Sequence, residues 1–357
     1  MPAPFKNPKE GREIRSNISS FPAFFHTRKQ RVVASNIWSF LNQLSLDKLS
    51  SKDAKQACAY LEQSFEFFEA AKNPRTGSKP LLYYYCFLNL AKLLFLFKKI
   101  NFPIALMHGI KDPRENERER LQFQGQSVKI LSTRGDHSNL FPELIRALAG
   151  KVKTGDIKVI DLISQIPGIH LSYSSIVRRS PSFIPIENKI VKSNGSEVWA
   201  QFSIKIRNDN DRLNINKLRA RHIFSSLYHQ ISNSTKNEVW FESNPETGRN
   251  RGIDNAIKKL QDKLSMIGIW SLLTNRGYRF YFSTYSKWLP QLASMYAVMF
   301  YLGSITRYRP YDFDKILKGG FAWLVEEFLT TQPTQFLYVL ASTLAEVDIV
   351  KPFCVYD

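Results

Sequence analysis

The feature that most constrains this chain is the seventeen-residue run Leu81–Phe97, LLYYYCFLNLAKLLFLF, in which Asn89 and Lys92 are the only strongly polar side chains. A helix that is apolar all round has no face to offer water, so it sits either at the centre of a helical layer or in lipid. The run is about a turn short of a bilayer span and carries an amide and a cation, so it is expected to be a buried core helix. The uncharged stretch Trp288–Thr306 contains Pro290, Gln291, Ser294, Gly303 and Ser304, which disfavour insertion, and is expected to be a second one. No membrane span is therefore expected. With 357 residues, 43% of them hydrophobic, the chain can build a large core around these helices.

Flanking segments supply the partners. Apolar residues at helical spacing between Ser35 and Lys72 (Ile37, Phe40, Leu41 and Leu44, then Ala57, Tyr60, Leu61, Phe65 and Phe68), broken by SLDKLSSKD, predict two amphipathic helices. NPRTGSKP reads as a loop into the apolar helix, and KDPRENERER (111–120), which has no apolar period, reads as solvated chain. Short helices are expected at 140–149 and 157–166. After Pro185 the period changes from near 3.6 to 2, and Glu187–Val191 with Val198–Ile206 about Asn194-Gly195 predicts a β-hairpin. A helix over 212–231 follows, then strands at 238–241, 267–273 and 278–283, the last two joined by Thr274-Asn275-Arg276-Gly277. From Leu289 the chain is helical again, at 289–304, 312–329 and 333–345. The fold class is α+β, with helical N- and C-terminal parts and a basic, hairpin-containing middle. Four regions are expected: a basic arm (1–34), a helical domain (35–170), a β-containing basic region (171–285) and a C-terminal helical region (286–357).

Charge is the main functional signal. Fifty Lys and Arg against 31 Asp and Glu give a net charge of +19, and residues 171–310 hold 21 of the bases with nine acids. Such an excess favours a polyanionic partner, nucleic acid (DNA or RNA) or an anionic surface. Lys217, Arg219, Arg221 and His222 share one expected helix, where several cations on a rigid element can displace counterions from phosphates. Arg249 and Arg251 lie in the Gly-flanked loop GRNRG, with Lys258 and Lys259 on the helix behind it, an arrangement able to wrap a phosphate with N–H groups and guanidinium forks. Arg307 and Arg309 flank Tyr308 at the end of the long apolar helix and can stack and fork onto an anion. Each group also has a plainer reading: a solvated face, an exposed loop, or cations answering the helix dipole before Pro310 stops the helix.

Motifs for chemistry are missing. Cys58, Cys86 and Cys354 are dispersed and odd in number, which argues against a zinc ribbon, a CxxC redox pair or a disulfide scaffold and points to a reducing cytoplasm. The opening MPAPFKNPKEGREIRSN has no apolar run of signal-peptide length. His222 and His229 are two helical turns apart, about 10 Å, too far to share a zinc ion. Gly-x-Ser-x-Gly, His-Glu-x-x-His and Gly-x-Gly-x-x-Gly do not occur. Glu187-Asn188-Lys189 has a nuclease-like Glu-x-Lys spacing that is too common to count. No catalytic residue, metal or cofactor is assigned.

An ordered set of short motifs carries a resemblance: Pro80-Leu81-Leu82-Tyr83-Tyr84-Tyr85 with Phe87-Leu88-Asn89-Leu90-Ala91-Lys92, then His108-Gly109, Gly135, Phe141-Pro142-Glu143-Leu144, Tyr281-Phe282-Ser283, Leu289-Pro290 and Arg307-Tyr308-Arg309-Pro310. Together they resemble the YaaC-like bacterial proteins over about half the chain. Where that pattern more often has histidine before the last proline, this chain has Arg309. The resemblance implies an architecture and a bacterial cytoplasmic setting, with no settled activity. The helix from Leu81 followed by His-Gly also looks like the start of HEPN helical bundles, some of which cleave RNA with an arginine followed by four to six residues and then a histidine. None of the six histidines has that spacing, so a HEPN-type RNase is not expected. The function these observations favour is a non-enzymatic binding protein of nucleic acid. Its rivals are an adaptor or effector subunit of a larger, antiphage-type complex, with protein partners or copies of itself, and a phosphodiester-cleaving nuclease whose site is not recognised.

Overall fold

A computed structural model of the protein describes residues 6–13, 17–19, 24–26, 32–72, 76–100, 107–113, 123–132, 139–149, 152, 154–248, 252–285 and 289–352. The chain forms two compact units, each assembled from segments distant in sequence. Ala34–Pro181 and Leu289–Ala345 make a helical unit; Met1–Val33, Ser182–Trp288 and Glu346–Asp357 make a β-rich unit. The mixed α+β class expected from the sequence is thus present, but the four regions are regrouped. The reason is the apolar helix itself, which needs partners on every side and takes some of them from the C-terminal third.

The chain begins in the β-rich unit with β1 (Arg12–Glu13), β2 (Asn17–Ser19), β3 (Phe24–His26) and β4 (Val32–Val33). The helical unit follows with α1 (Ile37–Lys48), α2 (Ser51–Ala71), α3 (Lys79–Phe97), β5 (Ile110–Lys111), β6 (Ser127–Ile130), α4 (Leu140–Ala149), β7 (Gly155–Lys158), α5 (Val159–Ile163) and α6 (His170–Val177). The β-rich unit resumes with β8 (Phe183–Ile186), β9 (Asn188–Ser193), β10 (Glu197–Lys205), α7 (Asp209–Ala220), α8 (His222–Leu227), β11 (Tyr228–Gln230), β12 (Glu238–Ser243), β13 (Glu246–Thr247), α9 (Gly252–Ser265), β14 (Ile269–Thr274) and β15 (Gly277–Ser283). Helices α10 (Gln291–Tyr308), α11 (Pro310–Lys318) and α12 (Ala322–Ala345) return to the helical unit, and β16 (Ile349–Val350) closes on β4.

In the helical unit, α3 packs against α2, α10 and α12, and Phe87, Leu90, Leu93, Leu94 and Phe95 are all buried. It is long and apolar enough to cross a membrane, yet most of it is buried inside the unit. Phe87 stacks on Phe336 of α12 at 3.8 Å between ring centroids; truncating such a buried ring to alanine costs ~3–5 kcal/mol. The polar break SLDKLSSKD becomes a helix end and a new cap: α1 stops at Leu49, and the Ser50 hydroxyl accepts the Asp53 N–H to start α2. Two expectations are corrected here. Ile157 belongs to β7, opposite Val128 of β6, and only Val159–Ile163 is α-helical. Helix α12 runs unbroken through Pro333. An interior proline costs ~3 kcal/mol, and the helix survives because Phe328, Leu329, Phe336, Leu337 and Leu340 are all buried along it.

The β-rich unit is built on the expected hairpin. Gly195 at φ +97° makes the turn, and the Asn194 side chain accepts the N–H groups of Ser196 and Glu197. Strand β10 lies between β9 and β12, and Val198, Ala200, Phe202 and Ile204 alternate into a core shared with Ile215, Leu218, Leu260 and Phe282. β14 and β15 pair about the expected turn, Thr274 opposite Gly277. The described part of the N-terminal arm is docked here rather than free. β1 pairs with β9, the Lys9 N–H donates to the buried Glu242 carboxylate, and Gly11 lies so close to Trp199 that a Cβ would fall 2.4 Å from the ring. The expected helix over 212–231 breaks at Arg221, whose backbone is extended, and Tyr228–Gln230 leave as strand β11 against β12.

Candidate functional site

Within the helical unit the spacing of a few residues builds a pocket. On α10, Phe300, Gly303, Ser304 and Arg307 fall at i, i+3, i+4 and i+7 and so share one face, while Leu81, Tyr84 and Tyr85 share a face of α3. The third wall is the segment Met107–Lys111, with Leu131 and Asn139 beside it. The cavity they enclose is about 260 Å³. A wider depression beside Ser51–Gln56 is lined by a single helical turn and has no such walls.

Close packing fixes the pocket. Gly303 brings α10 onto α3, since a Cβ there would sit 3.1 Å from the Tyr84 Cβ. The Met107 and His108 carbonyls accept the Leu140 and Phe141 N–H groups at the start of α4, and the Gly109 carbonyl accepts that of Leu131. Gly109 is at φ +68°, and a Cβ on it would stand 2.6 Å from both Asn139 Cβ and Pro142 Cδ, so the position demands glycine twice over. His108 is thereby held on a rigid backbone.

The imidazole Nδ1 is 2.7 Å from the Tyr84 hydroxyl. Desolvation of the ring, then the charges of Arg307 and Lys92, lower the His108 pKa, although the residue as a whole is exposed. Burial raises the Tyr84 pKa. Near neutral pH both groups are uncharged and one donates to the other, while Nε2 meets no partner among the described residues.

Arg307 and Arg309, two residues apart, have opposite fates. Arg309 forms an ion pair with Asp112, with 9% and 1% of the two side chains exposed. Arg307 is exposed, 3.5 Å from the Tyr85 hydroxyl and with its guanidinium 5.0 Å from the Tyr308 ring centroid, and it meets no carboxylate among the described residues. Lys111 at the rim is also exposed and meets no acid among the described residues. No Asp or Glu among the described residues lines the cavity.

Of the ten cations singled out from the sequence, Arg307 alone among those described lines this pocket. Arg221 turns inward, donates to the Ser283 carbonyl, and is lowered to about 10 by burial. Arg219 donates to Gln230 and lies over the Phe241 ring. Lys259 donates to the Thr247 carbonyl at 2.8 Å. Lys217 and His222 remain exposed. Arg249, Arg251 and the Lys258 side chain lie outside the described residues. Among the described residues no group of three His, Cys, Asp or Glu side chains is placed to hold a metal ion.

Three of the motifs that carry the family resemblance, 80–85, 108–109 and 307–310, thus contribute to one cavity. The YaaC-like protein family model matches residues 23–344. The chain belongs to the YaaC-like family. Comparison with curated proteins and with solved structures gives no match. The YaaC-like match spans both units, and the HEPN likeness gains nothing from it. Tyr84, Tyr85, His108, Lys111, Phe300 and Ser304 were not singled out as binding residues by charge. The available signals were the motif resemblance for the first three and the i, i+3, i+4, i+7 spacing along α10.

Proposed function

We propose that this YaaC-like protein is a non-enzymatic binding protein whose ligand is nucleic acid, held through its phosphates, with Arg307 as a contact point. The observation that carries the reading is the contrast at the end of α10: Arg309 is neutralised by Asp112, whereas Arg307 and Lys111 stand at an aromatic-lined cavity with no acid among the described residues. An exposed, acid-free arginine on a concave surface is arranged for a phosphate fork. The net charge of +19 supplies the long-range attraction a polyanion would feel. Support from the segment 217–222 is weaker than its sequence suggests, because Arg219 and Arg221 are engaged within the β-rich unit.

Titrating labelled RNA and DNA at rising salt tests this. Affinity should fall linearly with log salt, and Arg307→Ala should weaken binding of every sequence by ~1–2 kcal/mol while reducing the salt slope by about one. Arg307→Lys should rescue only in part, because a point charge replaces a planar fork. Absence of binding at low salt would overturn the reading. The strand should be recovered intact; cleavage that depends on His108 would overturn its non-enzymatic part.

A further inference from the structure

We infer that the pocket between α3 and α10 takes one nucleotide unit, its base among the aromatic rings and its phosphate on Arg307. The inference rests on the phosphate contact proposed above and adds the base. Size sets the first limit. At about 260 Å³ the cavity is below the roughly 300–1,000 Å³ of pockets for drug-sized ligands, so it excludes a duplex and suits a single base with its sugar.

The walls set the chemistry. The Tyr84 ring meets the rings of Tyr85 and Phe300 at 5.5 Å and that of His108 at 5.8 Å, all at steep angles, so the cavity is lined by a cluster of rings in several orientations. Every base has a π face, which makes such walls tolerant of sequence. At the mouth Tyr308 is 52% exposed, with the Arg307 guanidinium already stacked over it. A ring and a fork therefore share the mouth of the cavity, the one able to meet a base and the other its phosphate. Polar atoms for the base edge are also present. The half-buried Ser304 hydroxyl has no hydrogen-bond partner among the described residues; Asn139 commits its amide N–H to the Ser132 carbonyl, leaving its oxygen; His108 offers Nε2.

A nucleotide unit can come from a single strand or from a free mononucleotide, and the experiment separates them. Fluorescence anisotropy would follow a short labelled single strand, the matching duplex and the same strand with abasic sites, with unlabelled 5′-mononucleotides as competitors. The intact strand should bind about tenfold tighter than the duplex and the abasic strand. Tyr308→Ala, which removes an exposed ring, should cost about tenfold on the strand at an unchanged melting temperature, and Ser304→Leu, which fills the cavity, should do the same. Competition by mononucleotides at the strand's own affinity supports the pocket and assigns it to free ligand; strand binding without such competition supports it and assigns it to strands. Equal binding of all three nucleic acids with both variants neutral would overturn the base pocket and leave the phosphate reading standing. Mononucleotide binding through Arg307 with no binding of strands would overturn the phosphate-polymer reading alone. If neither binds at low salt, both fall.

Discussion

Two residues in the segment 107–111 show how much can rest on a backbone position. At Gly109 a methyl group would meet Asn139 and Pro142 at 2.6 Å in a left-handed backbone. Gly109→Ala should therefore lower stability by ~1–3 kcal/mol, read as a fall in melting temperature, and loosen His108 with it. His108 itself gives a pH prediction with a definite sign. Its folded pKa lies below the ordinary imidazole value because of burial, Arg307 and Lys92, so its contribution to stability is present above pH 6.5 and is lost as the pH falls through the folded pKa. A bound phosphate acts oppositely, favouring the imidazolium, so affinity for a phosphodiester should rise on going from pH 8 to pH 5.5 while stability declines. Probes without terminal phosphates do not titrate in this range, and His108→Gln should flatten the dependence. An unchanged dependence in that variant would remove His108 from the site. Arg309 is the counter-case to Arg307. Removing one partner of a buried ion pair costs ~3–5 kcal/mol, so Arg309→Ala should lower the melting temperature far more than Arg307→Ala and affect binding only through folding.

At the scale of elements, the sequence is legible where a local rule and the tertiary environment agree. The run Leu81–Phe97 has no polar face because α2, α10 and α12 leave none to fill, and Asn194-Gly195 turns a hairpin whose inward residues are already alternating. It is illegible where packing overrides the local signal. Pro333 looks like a helix end and is carried inside α12 by the buried residues around it. The apolar face of 212–231 looks continuous, yet Arg221 breaks it by turning to the Ser283 carbonyl, a partner 62 residues away that no window of sequence contains. The pocket's width is likewise an element property. Gly303 sets how closely α10 approaches α3 at Tyr84; Gly303→Val should push the helices apart, displace Tyr84 from His108, and cost both stability and binding. Retained affinity in a folded Gly303→Val protein would show that the helix spacing does not define the site.

At the scale of the whole molecule, net charge names a class of partner but not a place for it. Counting cations along the chain directs attention to residues 171–310, where Arg219, Arg221 and Lys259 are tied to protein groups. The arginine that meets no acid among the described residues lies in the helical unit and becomes distinctive only when 81–85, 107–111 and 300–308 meet, which composition cannot reveal. The division into two units makes a last prediction. In the β-rich unit, residues 6–13 supply β1 to β9, cover Trp199 with Gly11 and satisfy the buried Glu242 with the Lys9 N–H. Removing residues 1–13 leaves that carboxylate short of donors, a loss of ~1–3 kcal/mol for each unmet buried group. The truncated protein should thus unfold at a lower temperature, with the added protease cuts falling within 182–288. The Arg307 pocket draws every wall from the helical unit, so its contribution should persist. The ratio of wild-type to Arg307→Ala affinity should be the same with and without the arm, even if overall affinity falls with the lost basic residues. A ratio that collapses on truncation would mean that the two units do not keep separate accounts of folding and binding.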